Sequence, residues 1–362
     1  MRFDRLPLTY GECRARFERM AAATGLDPVA RSISARGPND EELAVHAVML
    51  GAVRPTRALV VMSGVHGVEG FIGSALQCAF VERHAATTLP DDVGVLVIHA
   101  VNPWGMAWWR RQNEHNVDLN RNWRRSDRDP VHNDAYDELH PFACPDVDDL
   151  PDPATLFAAS QRLVAERGLV WVRDAITVGQ YRHRDGLHFG GDRTEESTAI
   201  VEDLVVDHLA GAERVLTIDL HTGHGPAGAV TLLSDQAPGT AQDDFLRRHF
   251  GHDRVEATAD NPDATTGIKS GQIANGIAQV IGGRTCFATS VEFGTRSDGA
   301  QLAATYREQW VHRRGDRSIP AHAAAVWEYR CCFTPDDPTW EHAAMRDGGD
   351  LLDAALAAVT SW

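Results

Sequence analysis

Apolar and polar positions alternate with two different periods along this chain, and the switches between them mark its elements. Residues 9–25, TYGECRARFERMAAATG, place apolar side chains at helical spacing and stop at Gly25, which predicts an opening helix. Residues 30–35 and 43–50 read as strand-like runs. The run ALVVMS at 58–63 is apolar throughout, as a strand buried on both faces should be, and it leads through Gly64-Val65-His66-Gly67 into helical spacing over 70–83. Three further strands are predicted at 93–100, 214–220 and 286–291, ending in Asn102-Pro103, His221-Thr222-Gly223 and Glu292-Phe293-Gly294. Residues 300–314 and 350–360 read as helices.

Strands alternating with helices predict an α/β fold, a mixed and largely parallel central sheet with helices on both faces. In such sheets the ligand crevice lies beyond the carboxyl ends of the strands. Four predicted strands each deliver polar residues to that end, so the site is expected there. A single domain over 1–362 is expected, interrupted by an acidic, irregular insertion at about 124–200. Nine acids crowd between Asp127 and Asp152, in a spacing without the ligand pattern and central glycine of a calcium loop, and a solvated surface is the expectation.

Composition narrows the partners. The chain has 362 residues with a formal net charge of -16, which disfavours nucleic acid and anionic lipid. No apolar run reaches the roughly 18 residues that span a bilayer, so no membrane partner is expected. Six scattered cysteines and a start, Met-Arg-Phe-Asp, without an apolar signal core point to reduced thiols and a cytoplasmic protein.

The chemistry gathers at the strand ends. His66-Gly67-Val68-Glu69 offers an imidazole and a carboxylate from one glycine-rich loop, two of the three protein ligands that a catalytic zinc needs. His221 can supply the third. The segment Asn116-Val117-Asp118-Leu119-Asn120-Arg121-Asn122 packs an acid, amides and a guanidinium together, and Glu292 stands as a lone carboxylate at a strand end.

Taken in order, these residues resemble the zinc carboxypeptidase family: His-x-x-Glu, Asn-Pro, Arg, Asp-x-Asn-Arg-Asn, His, Glu. The resemblance covers residues 58–123 and 214–295 and is closest to a bacterial branch with Asp-Leu-Asn-Arg-Asn and Gly-Gln-Tyr segments. More distantly the chain resembles the aspartoacylase and succinylglutamate desuccinylase group. The resemblance implies one zinc ion per chain on His66, Glu69 and His221, with Glu292 as general base. It further implies that Asp118 orients His66, that Arg111 stabilises the oxyanion, with Arg110 as the competing register, and that Asn120 and Arg121 grip a substrate carboxylate.

Two departures bear on substrate. The mobile tyrosine that peptide-cleaving relatives carry about twenty residues before the glutamate is missing, and Lys269 lies in the corresponding stretch. The segment 179–191, Gly-Gln-Tyr-Arg-His-Arg-Asp-Gly-Leu-His-Phe-Gly-Gly, is rich in donors, and Tyr181, His183 or His188 is expected to reach substrate. The expected activity is cleavage of an amide bond next to a free carboxylate, in a small molecule or short peptide. The alternatives are an N-acyl amino acid amidohydrolase and a binding protein that has lost turnover.

Overall fold

A computed structural model describes residues 5–123, 132–261, 264, 267, 269–282 and 284–362. Helix α1 (Tyr10–Thr24) starts at Thr9, whose side chain accepts from the Glu12 N–H while Glu12 reaches back to the Thr9 N–H. It ends at Gly25, whose φ of 71° suits a residue without a Cβ. Strands β1 (Val29–Arg36), β2 (Glu42–Gly51) and β3 (Arg57–Ser63) follow, then α2 (Gly70–His84), β4 (Val93–His99) and the short α3 (Pro103–Ala107).

The stretch expected to be an irregular insertion is largely helical among its described residues: α4 (Asp134–Ala143), α5 (Pro153–Arg167) and α6 (Leu169–Thr177), with α7 (Glu196–Leu209) beyond it. Asn133 caps α4 and Asp152 caps α5, so part of the acidity that suggested a solvated coil is helix-terminal acid. Asp127 and Asp129 lie outside the described residues. The remaining elements are β5 (Arg214–Gly223), β6 (Val230–Ser234), α8 (Ala241–Phe250), β7 (Val255–Ala257), α9 (Ile273–Ile281), β8 (Thr285–Gly294), α10 (Asp298–Arg314), α11 (Pro320–Phe333) and α12 (Pro338–Thr360).

The described strands form one eight-stranded sheet in the order β1-β2-β4-β3-β5-β8-β6-β7. Its centre, β4-β3-β5-β8, is parallel, and β1, β2 and β6 join antiparallel. Alternate residues of β3 enter two separate cores. Leu59 and Val61 pack with α2, α8 and α12, while Ala58, Val60 and Met62 pack with α7 and α9. Burial on both faces explains why the strand reads as unbroken apolar sequence. A third cluster joins Tyr136, Leu139, Leu156, Ala175 and Tyr306, and so ties α4, α5 and α6 to α10.

The connection after β3 leads to β4 on one side, and the chain then returns to place β5 on the other. The strand order therefore reverses between β3 and β5, which opens a crevice at their carboxyl ends.

Candidate metal centre and active site

At that crevice β3 leads through the 3-10 turn Gly67–Glu69, and β5 runs three residues past its predicted end, so His221 lies within the strand. Gly67 allows the turn its close packing: a Cβ there would lie 2.0 Å from the backbone carbon of Gly105. His66, Glu69 and His221 are all buried, and one ligand atom from each falls within 4.8 Å of the others. The Nδ1 atoms face the carboxylate, His66 Nδ1 at 3.0 Å from Glu69 Oε1 and His221 Nδ1 at 2.9 Å from Oε2.

Each distal nitrogen has its own carboxylate. His66 Nε2 lies 3.2 Å from Asp118 Oδ1, and His221 Nε2 lies 2.6 Å from Asp219 Oδ2. A carboxylate can only accept, so each Nε2 carries a proton toward its aspartate and Nδ1 is the nitrogen left to face a metal; without one, Asp219 and Glu69 together favour a second proton on His221. His66 Nδ1 is buried without a hydrogen-bond partner. An orphaned lone pair beside a second imidazole and a carboxylate is a donor set that suits a divalent metal such as zinc.

The electrostatics agree with tight coupling. Burial pushes the Glu69 carboxyl up, but the imidazoles of His66 and His221 outweigh it and hold the group well below the usual carboxylate range. Burial pushes the His221 imidazole down, and Asp219 with Glu69 reverses this and holds it well above its ordinary value. Asp118, although buried, is kept ionised by Arg111, His66 and Arg121.

Glu292 lies within β8, which also outruns its predicted end, and it is register partner to His221 on the neighbouring strand. Its Oε2 accepts from the His224 N–H at 3.3 Å. Arg111 donates to Asp118 Oδ2 at 3.0 Å and to Glu69 Oε1 at 3.1 Å and lines the same cleft.

The structure separates the other candidate residues. Arg110, the competing register, is fully buried, donates to Glu308, Gln309 and Asn116, and is not among the residues that line the cleft. Tyr181 and His183 also lie away from the cleft lining. The Tyr181 hydroxyl donates to the Arg121 carbonyl at 2.7 Å, while His183 stacks on His140 and pairs with Asp137, neither lining the cleft. Helix α4, which was not foreseen, occupies His183. Asn120 uses its Oδ1 to accept from the Ile273 N–H. Arg121 reaches the cleft with its guanidinium steadied by the Thr177 and Asn120 carbonyls. Lys269 lines the cleft, and among the described residues its ammonium makes no hydrogen bond or ion pair. Burial lowers its pKa.

Asp219 escaped the sequence reading. Of the three residues expected from segment 179–191, His188 lines the cleft, with Nδ1 3.1 Å from Asp118 Oδ2. Burial pushes its imidazole down to about 4, so it is neutral and donates to Asp118 through Nδ1–H. A second group of potential ligands, Glu114, His115 and Glu195, is already paired internally, His115 Nδ1 standing 2.6 Å from Glu195 Oε2 with His115 half exposed.

A family model matches residues 7–347, nearly the whole chain. The chain belongs to that family. Its description reads protein of unknown function (DUF2817). No curated protein matches the chain. Among solved structures, the chain is similar to carboxypeptidase A from Helicoverpa armigera, with 14% identity over 96% of this chain and 75% of that one and a TM-score of 0.48. It is similar to bovine thrombin-activatable fibrinolysis inhibitor at 12% identity, 92% and 99% coverage and a TM-score of 0.44. The succinylglutamate desuccinylase from Chromobacterium violaceum follows at 14% identity, 87% and 77% coverage and a TM-score of 0.40. Both groups that the motifs resemble are thus among its structural neighbours. Among the described residues, no helix is long and apolar enough to cross a membrane.

Proposed function

We propose that this chain is a zinc-dependent hydrolase that cleaves an amide bond next to a free carboxylate. The observation that carries the reading is the pair of imidazoles whose Nε2 atoms are each claimed by a buried carboxylate, with both Nδ1 atoms turned toward one glutamate. His66, Glu69 and His221 would hold one metal ion. When bound, zinc supplies Lewis acidity, which polarises a carbonyl and brings the pKa of a water toward neutrality.

The chain's own residues do the rest. Glu292 accepts a proton from the attacking water and returns it to the leaving nitrogen. Arg111 compensates charge that builds on the carbonyl oxygen, in a cleft whose burial strengthens the interaction. Arg121 and Lys269 hold the substrate carboxylate, Arg121 from a fixed guanidinium and Lys269 from a cation without an internal partner. Asp118 and Asp219 position the two imidazoles.

A second reading, deacylation of N-acyl amino acids rather than peptide trimming, is favoured by Lys269 occupying the cleft where a peptidase would bring a tyrosine. The test is the Glu292→Gln variant. It should keep wild-type metal content by elemental analysis and lose about 10²- to 10⁴-fold in kcat on a panel of free-carboxylate peptides and N-acyl amino acids. Retained turnover would remove Glu292 from the mechanism, and metal-independent turnover would remove the whole reading.

A further inference from the structure

A cavity of about 690 Å³ opens beside the His66, Glu69 and His221 cluster. That volume suits a small organic molecule with a substantial apolar part, far more than an acetyl group fills. One end is the charged cluster with Lys269. The remainder is mostly apolar, with Arg173, Asp298 and Gln301 among the polar residues that interrupt it, and much of it is built by helices that lie outside the sheet. Leu169, Val172 and Ile176 line it from α6, spaced three and four apart, so a single stripe of that helix faces inward. Leu163 of α5 and Leu302 and Tyr306 of α10 complete the wall.

Part of the wall is open to solvent. Leu169 is 69% exposed and its neighbour Val170 57%, large apolar side chains left in water on the cavity lining. Charge supplies the complement: the opposite end presents Arg121 and Lys269. A ligand matching both ends carries an anion at one terminus and an aliphatic or aromatic body at the other.

We infer that the substrate carries, besides a free carboxylate and the scissile amide, a large apolar group on one side of that amide, which lies against α5, α6 and α10. This rests on the hydrolase reading above for the amide, but not for the cavity. Such a group comes either from a fatty or aromatic acyl chain or from an apolar amino-acid side chain, and the shared chemistry is what the wall selects.

The experiment measures binding without turnover. Zinc-loaded Glu292→Gln protein is titrated calorimetrically with N-acetylglycine, N-butyrylglycine and N-octanoylglycine in one arm, and with N-acetylglycine against N-acetylphenylalanine in the other. Affinity should rise about threefold to fourfold per buried methylene, with a heat capacity that becomes more negative along the series. Leu169→Asp, at a site exposed enough to tolerate it, should cut the octanoyl-to-acetyl affinity ratio by about tenfold. Preference in either arm supports the cavity, and the arm that shows it assigns the side of the amide. Equal binding of all ligands overturns the inference even where wild-type protein hydrolyses them. Chain-length-dependent binding with no hydrolysis by wild-type protein sinks the hydrolase reading and leaves the cavity assignment standing.

Discussion

Asp219→Asn is the most informative single change, because it alters one charge and almost no volume. Asp219 and His221 are both fully buried, with Oδ2 and Nε2 2.6 Å apart. The asparagine oxygen can still accept from Nε2–H, so the ring keeps its orientation, but the bond is no longer charge-assisted and loses about half its strength. The imidazole becomes a poorer donor through Nδ1. Loss of an outer carboxylate on a ligating histidine costs about 10- to 100-fold in metal affinity, or about 1.4–2.7 kcal/mol. A second effect runs the other way. In the metal-free protein Asp219 and Glu69 hold a proton on His221, and a metal must displace it. Removing the Asp219 charge weakens that competitor, so the change should fall at the lower end, near tenfold at neutral pH. Competition against a chromogenic zinc chelator measures it, with urea unfolding of both proteins to show that the variant is folded. A folded variant that binds zinc within twofold of wild type would refute the argument that this carboxylate tunes the ligand.

Lys269→Ala should raise KM for carboxylate-bearing substrates by about 10- to 100-fold and leave kcat within a few-fold, while amide-capped analogues are unaffected; equal effects on both series would remove the lysine from carboxylate binding. Gly67→Ala should cost about 1–3 kcal/mol and most of the metal content, because its Cβ meets the Gly105 backbone and the turn that carries His66 and Glu69 has to move; thermal unfolding with and without zinc checks it, and a variant with unchanged melting temperature and metal would contradict it. His99, stacked on Phe17 and completely buried, has its pKa pushed down to about 3 by burial and by His46. Its folded-state pKa lies below the unfolded one, so unfolding takes up a proton as pH falls below 6.5, and stability drops by about 1.4 kcal/mol per pH unit from this group until pH approaches 3. Urea midpoints between about pH 6.5 and pH 4.5 should fall more steeply for wild type than for His99→Gln, and parallel slopes would discount the histidine.

The parallel centre of the sheet was legible because β3 and β4 are buried on both faces and carry almost no polar residue to obscure them. The ends of β5 and β8 were not. Each strand continues through its polar site residues, and a rule that stops a strand at its last apolar residue cuts them short. The correction matters for mechanism, since it puts His221 and Glu292 side by side on paired strands, where neighbouring backbones restrict them more than a loop would. The helices α4 to α6 were missed for another reason: acids placed at helix starts read as a charged coil when the caps are not counted separately from the run.

Asp219 shows how much information a local pattern holds and still conceals. Two residues before His221 on a strand, it necessarily shares that residue's face. The geometry was therefore available from the letters Asp-Leu-His once a strand was assigned as far as His221. What the letters lacked was a reason for a buried carboxylate there, and that reason is the inward-facing Nδ1, which only the opposite position of Glu69 supplies. The same dependence governs Asp118, which lies far along the chain from His66 yet also gathers Arg111 and His188. A ring nitrogen is committed to metal by what holds the other nitrogen. Both proton-accepting carboxylates come from different elements than the glutamate between the rings, so the donor set becomes specific only when β3, β5 and the 118–121 turn close on the same crevice.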